Sequence, residues 1–598
     1  MASTKIKRVR THANLEKAFM PTPAKMSYEG QSVDIMLHAW SGRFTNWLSP
    51  ASFGIAMFDW LAHLSIAPAK QFDLANKAWR KVLKLMIASH QYAHQVNCNL
   101  CIETRPNDKR FDSELWNNFP FNFYAQTFLA HEQWWEEATS TVRGVSKHHR
   151  QVVNFTIRQM LDLISPTNFL WTNPEILSKA IETQGTNFVN GFNNFLEDCS
   201  RSLCELPLAG TEQFKVGEHV AITNGKVVYR NRLIELIQYT PTTAKVYAEP
   251  ILITPAWIMK YYILDLSPNN SLVKYLVNHG HTVFMISWKN PTSEDRDLSL
   301  EDYVNLGIMS AIEAINHIIP QKKIHAVGYC IGGTLLMMTA AAMANKSDDR
   351  LKSITLFAAQ IDFKDAGELS LFIDQSQITY LEDIMWEKGY LDGAQMASAF
   401  SMLHSNDLIW SRLIHDYLLG TRRPMNDLMA WDHDTTRLPY RMHSEYLNEL
   451  FLNNELSQGR FKMWRKRIAL IDINTPIFAV STLTDHVSPW KSVYKLHLFT
   501  DTEVTFVLTS GGHNAGIVSE PGHSNRTYQI LTRQKGDRHI TSETWQEKAP
   551  QFDGSWWIAW QKWLVAHSDK KIFAPPVGNS DKGYPVLCDA PGTYVFQK

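Results

Sequence analysis

Six short apolar runs constrain the fold of this chain more than any other feature: PILITP (250–255), HTVFMISW (281–288), KIHAVGY (323–329), SITLFAAQI (353–361), PIFAVST (476–482) and VTFVLTS (504–510). Each reads as a strand buried on both faces, and helical stretches separate them. Strands of this kind alternating with helices require a mostly parallel sheet covered on both sides, so the expected class is α/β. Upstream of about residue 205, segments such as FNFYAQTFLAHEQWWEEA (121–138) and QVVNFTIRQMLDLI (151–164) carry apolar residues at three- and four-residue steps and predict helices. The 598 residues therefore divide into a mainly helical N-terminal region, 1–205, and an α/β unit, 206–598, at a length where a single core stops growing. Between the fourth and fifth runs, residues 366–468 are rich in Trp, Tyr, Leu and His without strand alternation, which predicts a helical cap over the strand ends.

Composition removes several function classes. Lys+Arg and Asp+Glu are equal at 59 each, so no global field recruits nucleic acid or an acidic membrane. The longest apolar run, LLMMTAAAMA (335–344), is too short to span a bilayer, and no integral membrane segment is expected. Six cysteines do not make a disulfide framework and the start, MASTKIKRVR, lacks an apolar signal core, so a disordered leader and a cytoplasmic location are expected. The Cys98 and Cys101 pair has no second pair or nearby His pair to complete four ligands, so no metal is expected; Cys199, Cys204 and Cys588 are expected as free thiols. Aromatic content of 12%, with 20 Trp, favours apolar pockets and interfaces, and with them self-association.

The chemistry is written around HAVGYCIGGTLL (325–336), where Gly328-Tyr329-Cys330-Ile331-Gly332 has the G-x-S-x-G elbow spacing with cysteine in place of serine. The motif sits where an apolar strand ends and a helix begins, the context that exposes a side chain on a sharp turn while its glycines let strand and helix approach. The helix N-terminus favours a thiolate at Cys330. Downstream, Asp485 follows the fifth run and His513 the sixth. The chain order nucleophile, acid, histidine, each at a strand's C-terminal end, is that of the α/β-hydrolase fold. In this layout His513 takes the proton from Cys330, and Asp485 either holds the imidazole tautomer or acts as a base itself. His325, His486 and His497 are the rival bases, and Asp362 and Asp365 the rival acids. An oxyanion hole needs the backbone N–H of Ile331 and a second N–H from TPAWIMKYYILDL (254–266), at Ala256 or Trp257.

With these residues in view, the sequence resembles the polyhydroxyalkanoate synthases, most nearly the class I type that makes polyhydroxybutyrate. TPAWIMKYYILDL, VFMISWKNP, GYCIGGTLL, DLMAWDHDTTRLP and SGGHNAG are similar to family blocks, and TNPEIL and DKRFDSELW carry the similarity into the N-terminal region, so that it covers roughly 105–565. The resemblance implies Cys330 as acyl-carrying nucleophile, His513 as its base and Asp485 assisting at the substrate 3-hydroxyl. It further implies 3-hydroxyacyl-CoA and a growing polyester as substrates with no separate cofactor, a homodimer, and attachment to cytoplasmic polyester granules. Met259, Asn514 and Ala256 depart from the expected Asn, Ile and Pro, which bears on chain-length preference, whereas Ala515 is like the short-chain members. Two other readings compete: a cysteine-nucleophile esterase or polyester depolymerase, and a non-catalytic granule protein. Release of CoA and the fate of the acyl group separate the three.

Overall fold

The computed structural model describes residues 31–45, 47–93, 102–105, 108–204, 206–403 and 405–598; the basic leader and the Cys98 and Cys101 pair lie outside them. Seven α-helices lead the described chain: α1 (Gln31–Gly42), α2 (Pro50–Ser65), α3 (Pro68–Ala93), α4 (Phe121–Ser140), α5 (Lys147–Leu163), α6 (Pro174–Glu182) and α7 (Thr186–Leu203). Their boundaries follow local chemistry. Ser49 caps α2 by accepting from Ser52 N–H, with Pro50 at the first helical position, and Ser146 caps α5 by accepting from His149 N–H.

A hairpin, β1 (Gly225–Arg230) and β2 (Ile234–Tyr239), opens the sheet. The six apolar runs follow as β3 (Ile251–Thr254), β4 (Val283–Trp288), β5 (Ile324–Tyr329), β6 (Leu351–Phe357), β7 (Ile477–Thr482) and β8 (Val504–Thr509). With β9 (Thr527–Arg533), β10 (Gln551–Asp553) and β11 (Cys588–Asp589) they form one sheet ordered β10-β9-β8-β7-β6-β5-β3-β4-β2-β1-β11. The pairings from β4 through β8 are parallel; the flanks, which the sequence reading did not foresee, pair antiparallel. The core lies on both faces of the parallel strands, every residue of β3, β4, β5, β7 and β8 being buried. The fourth run ends sooner than its apolar pattern suggests: Ala358 takes φ 47° and turns the chain out of the strand before Ile361.

The insertion after β6 is mainly helical. Its principal helix, α9 (Gln375–Lys388), follows α8 (Ile331–Asn345) in chain order and is capped by Asp374, which accepts from Gln377 N–H. Two short strands, Tyr390–Leu391 and Leu438–Pro439, pair antiparallel within it, a feature absent from the sequence expectation. A stripe at three-residue steps on and before α9 holds α1 and α2. Asp374 accepts from Ser52, Gln377 bonds the Ser49 N–H at 2.7 Å and the Trp47 carbonyl at 3.0 Å, Tyr380 meets Ser41 at 2.7 Å, and Asp383 meets His38 at 2.6 Å. The N-terminal region is thereby tied to the cap.

Candidate active site

The turn between β5 and α8 holds Cys330 at φ 52° and ψ −126°, a conformation that costs a non-glycine residue free energy and survives only where the surroundings over-determine it. The glycines explain how they do so. A Cβ on Gly328 would come within 2.4 Å of Gly333, and one on Gly332 within 2.5 Å of the Thr254 and Pro255 carbonyls, so helix and strands pack at backbone distance. Cys330 N–H donates to Phe357 carbonyl at 2.8 Å, tying the turn to β6.

The loops after β7 and β8 bring Asp485 and His513 together, with His513 Nδ1 at 2.8 Å from Asp485 Oδ2. Asp485, only 8% exposed, accepts through its other oxygen from Val487 N–H (2.9 Å) and Ser488 N–H (2.7 Å), and Thr482 Oγ1 donates to Oδ2 at 3.1 Å. Burial raises the carboxyl, but the His513 charge and these donors outweigh it and hold Asp485 below its ordinary value. Burial likewise opposes a charged His513, yet Asp485 and the neighbouring Cys330 sulfur hold it well above the ordinary histidine value. The three sequence-predicted residues therefore lie together in one cluster.

None of the rivals joins it. His325 is buried between Ser353 (2.6 Å) and Ser568 (3.0 Å) and pushed down to about 3 by desolvation. His497 is buried and likewise pushed down to about 3, chiefly by desolvation. His486 lies on a cleft outside the site. Asp362 binds Lys495 and Asn454, and Asp365 binds Lys495 and Lys147.

Cys330 opens onto a partly open cavity of about 130 Å³ whose lining includes both expected oxyanion residues, Ile331 and Trp257. Ala256 is buried but does not line it. The Trp257 ring packs on Trp288 and Tyr303, with centroids at 6.0 and 5.0 Å. Its loop is stitched to the cap: Thr436 N–H donates to the Ile258 carbonyl at 3.1 Å, and Lys260 N–H to the Asp434 carbonyl at 3.1 Å. The departure at Asn514 also has a partner, since Tyr329 Oη donates to its Oδ1 at 2.5 Å and so ties the histidine loop to β5.

Sequence reasoning missed the rest of the wall. Trp47 and Leu48 come from the N-terminal region, Tyr446, Leu447 and His443 from the cap, and Gln360 from the loop after β6. His443 is buried and pushed down to about 4 by desolvation. Gln360 Oε1 and Trp257 Nε1 are buried without a hydrogen-bond partner among the described residues, in an otherwise carbon-rich wall. The one available signal was the aromatic richness of the N-terminal region, which carries no information about which ring reaches the cavity.

A side chain exposed on a strand-to-helix elbow, facing an acid and a histidine carried after later parallel strands, defines an α/β-hydrolase-fold protein with cysteine at the elbow, and the family model for that fold matches residues 249–520. Models described as the poly-beta-hydroxybutyrate polymerase (PhaC) N-terminus and the poly-beta-hydroxybutyrate polymerase N terminal match residues 107–276 and 29–70. The chain is 40% identical over 500 residues to the poly(3-hydroxyalkanoate) polymerase of Methylorubrum extorquens, covering 83% of this chain and 82% of that protein. It is 33% identical over 566 residues to the poly(3-hydroxyalkanoate) polymerase subunit PhaC of Cupriavidus necator, covering 94% of each. It belongs to the poly(3-hydroxyalkanoate) polymerase family and is an acyltransferase.

Proposed function

We propose that this protein polymerises (R)-3-hydroxyacyl-CoA, with 3-hydroxybutyryl-CoA as the expected monomer, through a covalent acyl-Cys330 with release of CoA. The observation that carries the reading is Cys330 lining an apolar cavity with the hydrogen-bonded His513–Asp485 pair beside it. His513 takes the Cys330 proton; the thiolate attacks the thioester carbonyl, whose developing oxyanion is held by the Ile331 and Trp257 N–H groups. The C–S bond to CoA then breaks, and His513 returns the proton to the departing CoA thiolate. In the second half, His513 takes the proton of a 3-hydroxyl, the alkoxide attacks the acyl-Cys330 carbonyl, and the Cys330 thiolate leaves and takes that proton back from His513, restoring the thiol and the neutral imidazole. Asp485 keeps Nδ1 protonated so that the other ring nitrogen faces the sulfur.

Sulfur suits this sequence because exchanging one thioester for another costs little, so the acyl group stays activated until an alcohol arrives, and each ester bond is then formed downhill. The apolar wall disfavours water, the competing nucleophile, and Gln360 Oε1 offers an acceptor for the substrate hydroxyl. Self-association and attachment to polyester granules belong to the same reading. Exposed apolar residues on α7, Val189, Phe192, Leu196 and Leu203, recur at helical spacing, and Phe58, Phe72 and Trp79 are exposed on α2 and α3. Among the described residues no helix is long and apolar enough to cross a membrane.

The test is purified protein with 3-hydroxybutyryl-CoA, following CoA, polymer and free acid together. CoA with insoluble polyester and little 3-hydroxybutyrate is the expected result. Free acid accumulating one-for-one with CoA would make the protein a hydrolase.

A further inference from the structure

We propose that the polar cleft between α5 and the loops at 367–373 and 486–489 holds the phosphorylated nucleotide end of the acyl-CoA, with Arg150, Arg158 and Lys364 as its phosphate-binding cations. The proposal rests on the acyl-CoA reading above.

The cleft, about 1090 Å³, lies against the Cys330 cavity with only a thin partition between them. In the first loop Leu369 and Phe372 line the cavity while Gly367 and Ser370 line the cleft; in the second, Val487 and Ser488 line the cavity while His486 and Pro489 line the cleft. Ile373 and Phe451 line both. The two loops meet backbone to backbone, Glu368 N–H donating to the His486 carbonyl at 3.3 Å, and a Cβ on Gly367 (φ 70°) would lie 2.2 Å from that carbonyl. A nearly all-carbon cavity of about 130 Å³ suits the acyl group but has neither the room nor the charge for a nucleotide, whose polar arm must pass toward a larger, polar space.

The charges in the cleft favour an anion. α5 turns a stripe into it at helical steps, with Arg150 in its first turn and Arg158 two turns later. Arg150, Arg158 and Lys364 form no ion pair among the described residues; the Arg158 guanidinium lies 5.8 Å from the Phe155 ring centroid. The carboxylates nearby are largely committed: Asp365 to Lys147 (3.2 Å) and Lys495 (2.9 Å), and Glu136 to Arg105 (2.9 Å), with Glu368 on the partition itself. The positive end of the 17-residue α5 opens beside Arg150. Planar guanidinium groups bind phosphate oxygens in pairs, so two of them on one helix face, opposed by a lysine, fit a diphosphate with a further phosphate.

The test compares 3-hydroxybutyryl-CoA with the same acyl group on N-acetylcysteamine, which carries the thioester but no nucleotide. Arg150→Ala with Arg158→Ala should raise KM for the CoA thioester about tenfold or more at near-normal kcat, and change kcat/KM for the truncated thioester by less than about twofold. The Arg→Lys pair should recover part of the loss. Calorimetric titration with CoA alone should lose affinity by a similar factor without any turnover. If the wild-type protein makes no polymer yet CoA binding still depends on the two arginines, the site stands and the polymerase reading falls. Equal losses on both thioesters, or unchanged CoA affinity in the folded double variant, would overturn the assignment.

Discussion

At the scale of single residues the site is an electrostatic arrangement around His513. Desolvation works against its charge, and the Asp485 carboxylate and the Cys330 sulfur together reverse that penalty. Cys330→Ala removes the second of these, so the His513 pKa in the variant should fall below the wild-type value; an imidazole NMR titration reads this directly. The same variant should release no CoA. The linkage has two signs. Raised in the fold, His513 contributes stability fully below its ordinary value, and that contribution fades as pH climbs through the folded value. Lowered in the fold, Asp485 contributes above the ordinary carboxylate value and loses its contribution as pH falls through the folded value. Asp485→Asn weakens the base most where the harder proton must be moved, from an alcohol. We expect Cys330 still to be acylated and elongation to fall by about 10²–10⁴-fold, read by trapping the acyl-enzyme and by chain growth.

At the scale of elements, the cap helix α9 works on two sides at once. One side reaches the Cys330 cavity through Gln377 and Leu381, while the row Asp374, Gln377, Tyr380 and Asp383 grips the α1–α2 elbow. Gln377 belongs to both, and its amide holds the turn that puts Trp47, at φ 67°, into the cavity wall. Gln377→Ala should cost about 1–3 kcal/mol in denaturant unfolding and raise the ratio of free acid to polymer, because the wall it holds in place helps keep water out. Asp374 is also a pH-sensitive clasp. Burial raises it, but the His148 and Ser52 hydrogen bonds and the Gln377 N–H bring it down to about 2. Its contribution is therefore present above the ordinary carboxylate value and lost as pH falls toward about 2. Amide exchange in α1 and α2 should accelerate across that acidic window.

At the scale of the whole molecule, a sheet buried on both faces leaves the N-terminal helices with apolar surface to spare. Replacing Val189, Phe192 and Leu196 on α7 with serine should lower cosedimentation with polyester particles and leave kcat on soluble substrate unchanged, since these side chains are exposed and outside the cavity lining. The parallel strands, the elbow and the order of Cys330, Asp485 and His513 were legible from the chain because each is local: a continuous apolar run marks a doubly covered strand, and a strand's C-terminal end is where such a sheet presents its loops. The antiparallel flanks were not: β9 is half-exposed, and β2, though buried at every position, interrupts its apolar run with Glu235 and Gln238, so neither carries a continuous apolar pattern. Helical periodicity revealed that α4 and α5 have apolar faces, but a face is silent about its partner. That Trp47 walls the cavity, that Gln377 holds it across 330 residues of chain, and that Arg150 and Arg158 border the neighbouring cleft were decided by tertiary packing alone, because contacts so distant in sequence leave no mark on local pattern.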